Sequence, residues 1–92
     1  MTGIRSVPHM PRLNRGFRLQ WEAAQDCHVL LYPEGMIRLN RSAGEILQCC
    51  DGATSVDTII ATLEQKFNMP GLRHDIEALL AHAFTEDWIC DA

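Results

Sequence analysis

The sequence predicts an α+β domain in which a three-stranded antiparallel sheet precedes three helices, in the order β-β-β-α-α-α. Two observations predict this fold class. Apolar and polar residues alternate from residue 17 to residue 22, as in a strand with one buried face, and residues 27–32 place Cys27, Val29 and Leu31 on one face of a second strand. From Asn40 onward, apolar residues recur every three or four positions, as in amphipathic helices. This order of elements is that of a winged-helix-like fold.

Three short runs account for the sheet. Residues 17–22 alternate between apolar and polar side chains, and residues 27–32 form a second strand. Residues 33–35, Pro-Glu-Gly, make a tight connection because Gly35 can take the positive φ that short hairpin loops require. Residues 36–39 then form a short third strand.

Capping residues and apolar spacing locate the helices. Asn40 and Ser55 are favoured N-caps, because their side chains can accept hydrogen bonds from the free amides of the first turn. Gly52 suits the left-handed position after the first helix, and Pro70 suits the first turn of the third helix. The apolar stripe of the first helix comprises Ala43, Ile46, Leu47 and Cys50, and that of the third comprises Leu72, Ile76, Leu79, Leu80, Ala83 and Phe84.

A chain of 92 residues is enough for one domain. Residues 1–16 hold prolines and glycines but little apolar periodicity, so we expect a flexible or extended N-terminal arm before a domain at residues 17–92. No apolar run approaches the ~20 residues needed to cross a bilayer. The N-terminal arginines precede no apolar stretch, unlike those of a signal peptide. We therefore expect a cytoplasmic protein with reduced cysteines and no membrane partner.

Charge is divided unevenly along the chain. Residues 1–41 carry six arginines against three acids (+3), residues 42–92 carry two basic residues against nine acids (−7), and the two sums give the net charge of −4. The third helix, which would enter the groove of DNA in a winged helix, has one arginine and four acids. Because DNA-binding helices bring cations to phosphates, we expect no nucleic-acid partner.

The adjacent Cys49 and Cys50 raise the question of a metal or redox site. Neighbouring residues of a helix point about 100° apart, so the two thiols do not converge. Cys27 and Cys90 complete no closely spaced cysteine pair of the kind that holds zinc. We interpret the cysteines as core or boundary residues and expect no metal, no cofactor and no catalytic residue. The alternative is a metal or redox role.

A sheet edge is the best candidate for a binding site. The unpaired N–H and C=O groups of an edge strand can template another chain, and some proteins bind extended peptides in this way. Residues 36–40, Met-Ile-Arg-Leu-Asn, form such an edge. The alternative is an edge that is merely solvated. The same edge could also pair with a second copy, so a homodimer is considered as well.

Several motifs together carry a family resemblance. They are Leu-Leu-Tyr-Pro-Glu-Gly at residues 30–35, the pattern LN..A.EIL..CDG..SV..II..L...F at residues 39–67, Asp75-Ile76, and the apolar Trp88-Ile89. Over residues 11–90 the chain resembles the PqqD family of pyrroloquinoline quinone (PQQ) biosynthesis. The Leu-Asn to Asp-Gly segment is shared with a broader class of peptide-recognition domains from pathways of ribosomally made peptides.

The resemblance implies a non-catalytic peptide chaperone that binds the precursor peptide PqqA and presents it to PqqE, a radical S-adenosylmethionine enzyme. In related domains the peptide adds beside the third strand, in the groove against the third helix. The implied peptide-binding residues are Met36, Ile37, Arg38 and Leu39 of the strand and Asp75, Ala78, Leu79 and His82 of the helix. This choice of flank takes Ile76, Leu79 and Ala83 as the buried centre of the helix. The other flank, with Arg73, Glu77 and Leu80, is an alternative.

Two other classes of function stay open at this point. One is a winged-helix nucleic-acid-binding or regulatory domain, and the other is an accessory domain of an enzyme that binds only protein.

Overall fold

The computed structural model describes residues 7–92 and has the α+β class that the sequence predicts. Its helices are α1 (Arg41–Gln48), α2 (Val56–Lys66) and α3 (Arg73–Thr85). Its strands are β1 (Pro11–Leu13), β2 (Arg18–Glu22), β3 (Cys27–Tyr32), β4 (Gly35–Arg38) and β5 (Ile89–Asp91). Strands β2, β3 and β4 form one antiparallel sheet in that order, and β1 pairs with β5 separately. The first six residues of the predicted arm lie outside the described residues.

The hydrophobic core lies between one face of the three-stranded sheet and the helices. Leu30, at the centre of β3, is fully buried and belongs to one cluster with Leu47 of α1 and Leu80 of α3. The strand register pairs Leu30 with Leu19 and with Ile37, so these three side chains lie on the same face. The three predicted strands and three predicted helices are therefore confirmed.

Gly44 allows α1 to pack closely on β3. A Cβ atom at this buried position would lie 2.6 Å from Nδ1 of His28 and 3.0 Å from its Cβ. The imidazole of His28 in turn packs edge-to-face against the ring of Trp21, with 5.0 Å between the ring centroids. Residue 44 must therefore be small for α1 to approach the sheet at this distance.

Both predicted N-caps are confirmed. The side chain of Asn40 accepts a 2.8 Å hydrogen bond from the amide of Ala43, and the hydroxyl of Ser55 accepts a 3.2 Å hydrogen bond from the amide of Thr58. These bonds satisfy amides that have no partner within the helix.

Two predicted helix boundaries are wrong. Helix α1 ends at Gln48 with Cys49 as its C-cap, so Gly52, although its φ is +77°, lies beyond the helix end and donates its amide to the carbonyl of Pro11. Helix α3 begins at Arg73 and not at Pro70, because Gly71 takes a φ of +78° that interrupts any earlier helical turn.

The pairing of β1 with β5 was not predicted. It joins residues 11–13, within the predicted arm, to residues 89–91. The amide of Met10 also donates to the Asp91 carboxylate at 2.8 Å, and the amide of Asn14 donates to the carbonyl of Trp88 at 2.8 Å. Strands of three residues are too short to have a detectable periodicity.

Within residues 7–92, no helix is both long and apolar enough to cross a bilayer.

Candidate functional site

Strand β4 is an edge of the three-stranded sheet, and no strand of residues 7–92 pairs with its outer side. The amide of Leu39 donates a 3.0 Å hydrogen bond to the carbonyl of His28 on β3. Because bonding direction alternates along an antiparallel strand, residues 35 and 37 also bond inward, whereas Met36 and Arg38 direct their N–H and C=O groups outward. The edge therefore offers the backbone groups of two residues to an added strand.

The side chains of this edge alternate between the core and solvent. Ile37 packs against the core and Leu39 is only 6% exposed, whereas Met36 is 50% exposed and Arg38 is also exposed. Leu39 has its side chain in the core and its amide bonded to β3. Leu39 therefore offers a ligand neither its side chain nor its amide.

A groove of about 360 Å³ opens between the three helices. It begins at Arg41 and Ser42, the first two residues of α1, which follow β4 after two residues. Its walls are mostly apolar, and Glu45 and Asp75 add two carboxylates. The lining residues are Arg41, Ser42, Glu45, Ile46, Leu63, Phe67, Met69, Leu72, Asp75 and Ile76.

Two cationic side chains, those of Arg41 and Lys66, lie over the ring of Phe67 beside this groove. The guanidinium of Arg41 lies 5.7 Å from the centroid of that ring, and the ammonium of Lys66 lies 5.8 Å from it. Such contacts contribute about 0.5–1 kcal/mol at exposed sites. Lys66 also forms a 2.7 Å ion pair with Glu45. The groove thus combines apolar walls with charged groups of both signs, and Arg41 is the lining cation that could bind an acidic side chain next to an apolar one.

The favoured flank of α3 is exposed. Asp75, Ala78 and His82 lie three and four residues apart, on one side of the helix. Asp75 lines the groove, and the ring of His82 packs edge-to-face on Trp88 with 5.2 Å between centroids. No hydrogen bond or ion pair of the Asp75 carboxylate occurs within residues 7–92.

The alternative flank is engaged within the protein. Arg73 forms a 2.8 Å ion pair with Asp57 of α2 and a 2.9 Å ion pair with Glu77, one turn further along α3. Both acids hold the pKa of Arg73 above its usual value, with the hydrogen bond to Asp57 the larger cause. These side chains tie α3 to α2 and are less available to a ligand.

The centre of the buried stripe of α3 is Leu80 and not Leu79. Leu80 and Ala83 are fully buried and Ile76 is 3% exposed, whereas Leu79 is only partly buried. The sequence-based placement of Leu80 on a margin is therefore wrong, because the buried stripe follows positions i, i+4 and i+7 from Ile76. Leu79 lies next to Ala78 at the edge of the exposed flank.

The predicted residues do not all meet in one cavity. Of the eight predicted peptide-binding residues, Asp75 alone lines the groove. The first turn of α1 links the two halves of the predicted site, since it follows β4 directly and shares the groove with Asp75. Arg41, Phe67 and Met69 were not predicted, and the only signal in the sequence was a cationic residue directly after the N-cap Asn40.

The adjacent cysteines do not form a reactive pair. Cys50 is 6% exposed, and burial raises the pKa of its thiol to about 12. Burial also raises the pKa of the half-buried Cys49. The interpretation of these two residues as core and boundary cysteines is confirmed. Within residues 7–92, no three His, Cys, Asp or Glu side chains are arranged to hold a metal ion.

A winged-helix-like domain with an open sheet edge beside an apolar groove belongs to the class of small recognition domains that act by binding. Comparisons with known proteins agree. A family model described as Coenzyme PQQ synthesis protein D (PqqD) matches residues 27–89, more than half of the chain. This chain belongs to the PqqD family.

Individual relatives cover nearly the whole chain. A PqqA binding protein of Pseudomonas aeruginosa is 54% identical over 85 residues, which span 91% of this chain and 92% of that protein. A PqqA binding protein of Azotobacter vinelandii is 49% identical over 81 residues, which span 87% of this chain and 88% of that protein. Both relatives are named for a ligand, PqqA, and neither name states a reaction.

A solved structure confirms the fold class. It is the solution NMR structure of the PqqD truncation of Methylobacterium extorquens PqqCD, described as a functional and stand-alone RiPP recognition element, that is, a recognition element for ribosomally synthesized and post-translationally modified peptides. The TM-score is 0.74 at 32% sequence identity, and the match covers 87% of each chain.

Proposed function

We propose that this protein binds the precursor peptide PqqA as an added strand on β4 and presents it to PqqE during PQQ biosynthesis. The open β4 edge carries the proposal, because Met36 and Arg38 direct backbone donors and acceptors away from the sheet. The names of the two bacterial relatives support PqqA as the peptide.

Strand addition supplies affinity that does not depend on sequence. Two outward residues can exchange four backbone hydrogen bonds with a peptide, each worth a net of about 0.5–1.5 kcal/mol. Ordering a flexible peptide opposes this gain. Side-chain contacts must therefore supply both the remaining affinity and the specificity, as in other strand-addition complexes.

The groove beside α1 is the proposed source of those side-chain contacts. Its apolar walls suit an apolar peptide side chain, and the guanidinium of Arg41, which lines the groove, suits an acidic one. The flank of Asp75, Ala78 and His82, with Leu79 at its margin, is the proposed helical side of the site. The engagement of Arg73 with Asp57 supports this flank over the alternative.

Presentation would raise the effective concentration of the peptide and restrict its conformation. This chain would catalyse no chemical step. A peptide held on β4 and delivered to PqqE reacts at a high effective concentration. The peptide also loses part of its conformational entropy on binding to this protein, before it reaches the active site of the enzyme.

Titration calorimetry with synthetic PqqA tests the proposal. Arg38→Pro removes an outward amide and should weaken binding roughly 5- to 150-fold, the effect of leaving one peptide carbonyl unpaired. Arg38→Ala is the matched control, because it removes the charge but keeps the amide, and it should change affinity only a few-fold. Proline is tolerated at an edge position whose amide faces solvent, so the fold should survive. Equal affinities of the two variants would sink the strand-addition model.

The flank of α3 and the enzyme partner need separate tests. Ala78→Arg should weaken peptide binding, whereas Ala61→Arg, on an exposed position of α2, should not. If only variants on the Arg73 flank reduce affinity, the choice of flank is wrong. For the partner, PqqE should turn over PqqA faster with this protein than without it, and Arg38→Pro should reduce that gain at concentrations below the dissociation constant of the variant for PqqA.

A further inference from the structure

Strand β2 forms the second open edge of the sheet. Alternate residues of β3 bond to β4, so its remaining residues bond to β2 through positions 18, 20 and 22. Leu19 and Trp21 therefore direct their N–H and C=O groups outward, and no hydrogen bond to these groups occurs within residues 7–92. The side chain of Trp21 is 52% exposed. This edge is longer than β4 and carries a large apolar side chain in solvent.

The residue order of β2, Arg-Leu-Gln-Trp-Glu, is self-complementary about Gln20. When two copies lie antiparallel with Gln20 opposite Gln20, Arg18 of each copy faces Glu22 of the other. Leu19 of each copy likewise faces Trp21 of the other. Facing residues lie on the same side of a sheet, where pairs of opposite charge and pairs of apolar side chains both stabilise association.

The direction of the backbone N–H and C=O groups agrees with this register. In it, the two pairs formed by Leu19 and Trp21 are the hydrogen-bonded pairs, and these are the residues whose backbone groups point outward. A slip of one residue would set outward groups against inward-bonded residues. A slip of two residues would restore the backbone bonds but lose both charge pairs. The charge pairs and the direction of the backbone hydrogen-bonding groups thus favour the same register.

We propose that β2 is a self-association edge through which two copies of this chain pair about a two-fold axis at Gln20. The pairing is isologous, so each contact occurs twice. It produces one six-stranded antiparallel sheet with β4 free at both outer edges, so that self-association and peptide addition use opposite edges. The contact is small, and the dimer is accordingly weak and reversible.

Charge-swapped variants of β2 test the proposal by sedimentation equilibrium from about 10 μM to 1 mM. Arg18→Glu alone and Glu22→Arg alone each place like charges opposite one another in both symmetric pairs. Each variant should weaken self-association by about tenfold or more. An equimolar mixture of the two restores opposite charges and should form a heterodimer about as strong as the native dimer.

Variants of the two sheet edges distinguish self-association from peptide binding. Arg38→Glu, on the other edge, should leave self-association unchanged, and Arg18→Glu should leave the affinity for PqqA unchanged. A native chain that stays monomeric up to 1 mM overturns the proposal, as does a mixture of the swapped variants that fails to associate. If a variant does not fold, amide exchange of the native chain decides instead. The amides of Leu19 and Trp21 should gain protection as concentration rises, and unchanged protection refutes the pairing.

Discussion

Replacing Gly44 by alanine tests how α1 is held on the sheet. The new Cβ would lie 2.6 Å from Nδ1 and 3.0 Å from Cβ and Cγ of His28, whereas ordinary contacts are 3.4–4 Å. Overpacking of this kind costs about 1–3 kcal/mol. Alanine also stabilises a helix by about 1 kcal/mol relative to glycine. The free energy of unfolding should therefore fall by about 0–2 kcal/mol, measured by urea denaturation.

A double-mutant cycle with His28→Ala separates the two effects. Removing the imidazole removes the closest contact, so Gly44→Ala should then cost less, and its propensity gain should emerge. The coupling energy between positions 28 and 44 should be about 1–2 kcal/mol. Additive effects, within about 0.5 kcal/mol, would show that the contact with His28 does not limit residue 44.

Three further predictions concern titration and capping. In the native protein at about pH 8, thiol labelling should spare Cys50, whose pKa is about 12, and modification found there by peptide mapping would contradict its burial. The pKa of Asp51 is lowered chiefly by the amide of Ala53, and that of Asp91 chiefly by the amide of Met10. Both carboxylates should therefore contribute stability above their ordinary pKa of 3.8 and lose it as the pH falls through their lower folded values. Asp91→Asn should reduce the acid-induced fall in Tm, and an unchanged fall would refute that role. Asn40→Ala should lower the free energy of unfolding by about 1 kcal/mol, and a loss too small to measure would exclude the capping role.

The main elements of the fold were predictable because local and long-range signals agree. The alternation in β2 matches the face that the sheet buries, and Asn40 and Ser55 mark helix starts with side chains that cap them. In β3 the alternation indicated a strand but not its core face, because Val29 and Leu30 are both fully buried and it is Leu30 that joins the core cluster. The pairing of β1 with β5 was not predictable, because it depends on contacts between residues about eighty positions apart. The start of α3 was misplaced because Pro70 suits a helix start, while the backbone at Gly71 takes the left-handed conformation.

The candidate site was only partly predictable. The β4 edge follows from the strand order and from the family resemblance, and its outward residues follow from one hydrogen bond, between Leu39 and His28. The groove depends on the packing of three helices, which brings Asp75 close to Arg41 although they are far apart in sequence. No periodicity indicates that Phe67 lies beneath two cations, since this is a property of the folded surface.

Amide hydrogen exchange with and without PqqA, resolved by NMR, tests the central claim most directly. If the peptide adds to β4, the amides of Met36 and Arg38 should gain protection on binding. The amide of Ile37, already bonded to β3, should change little. Saturable binding that leaves the amides of Met36 and Arg38 exchanging as in the free protein would contradict strand addition at this edge.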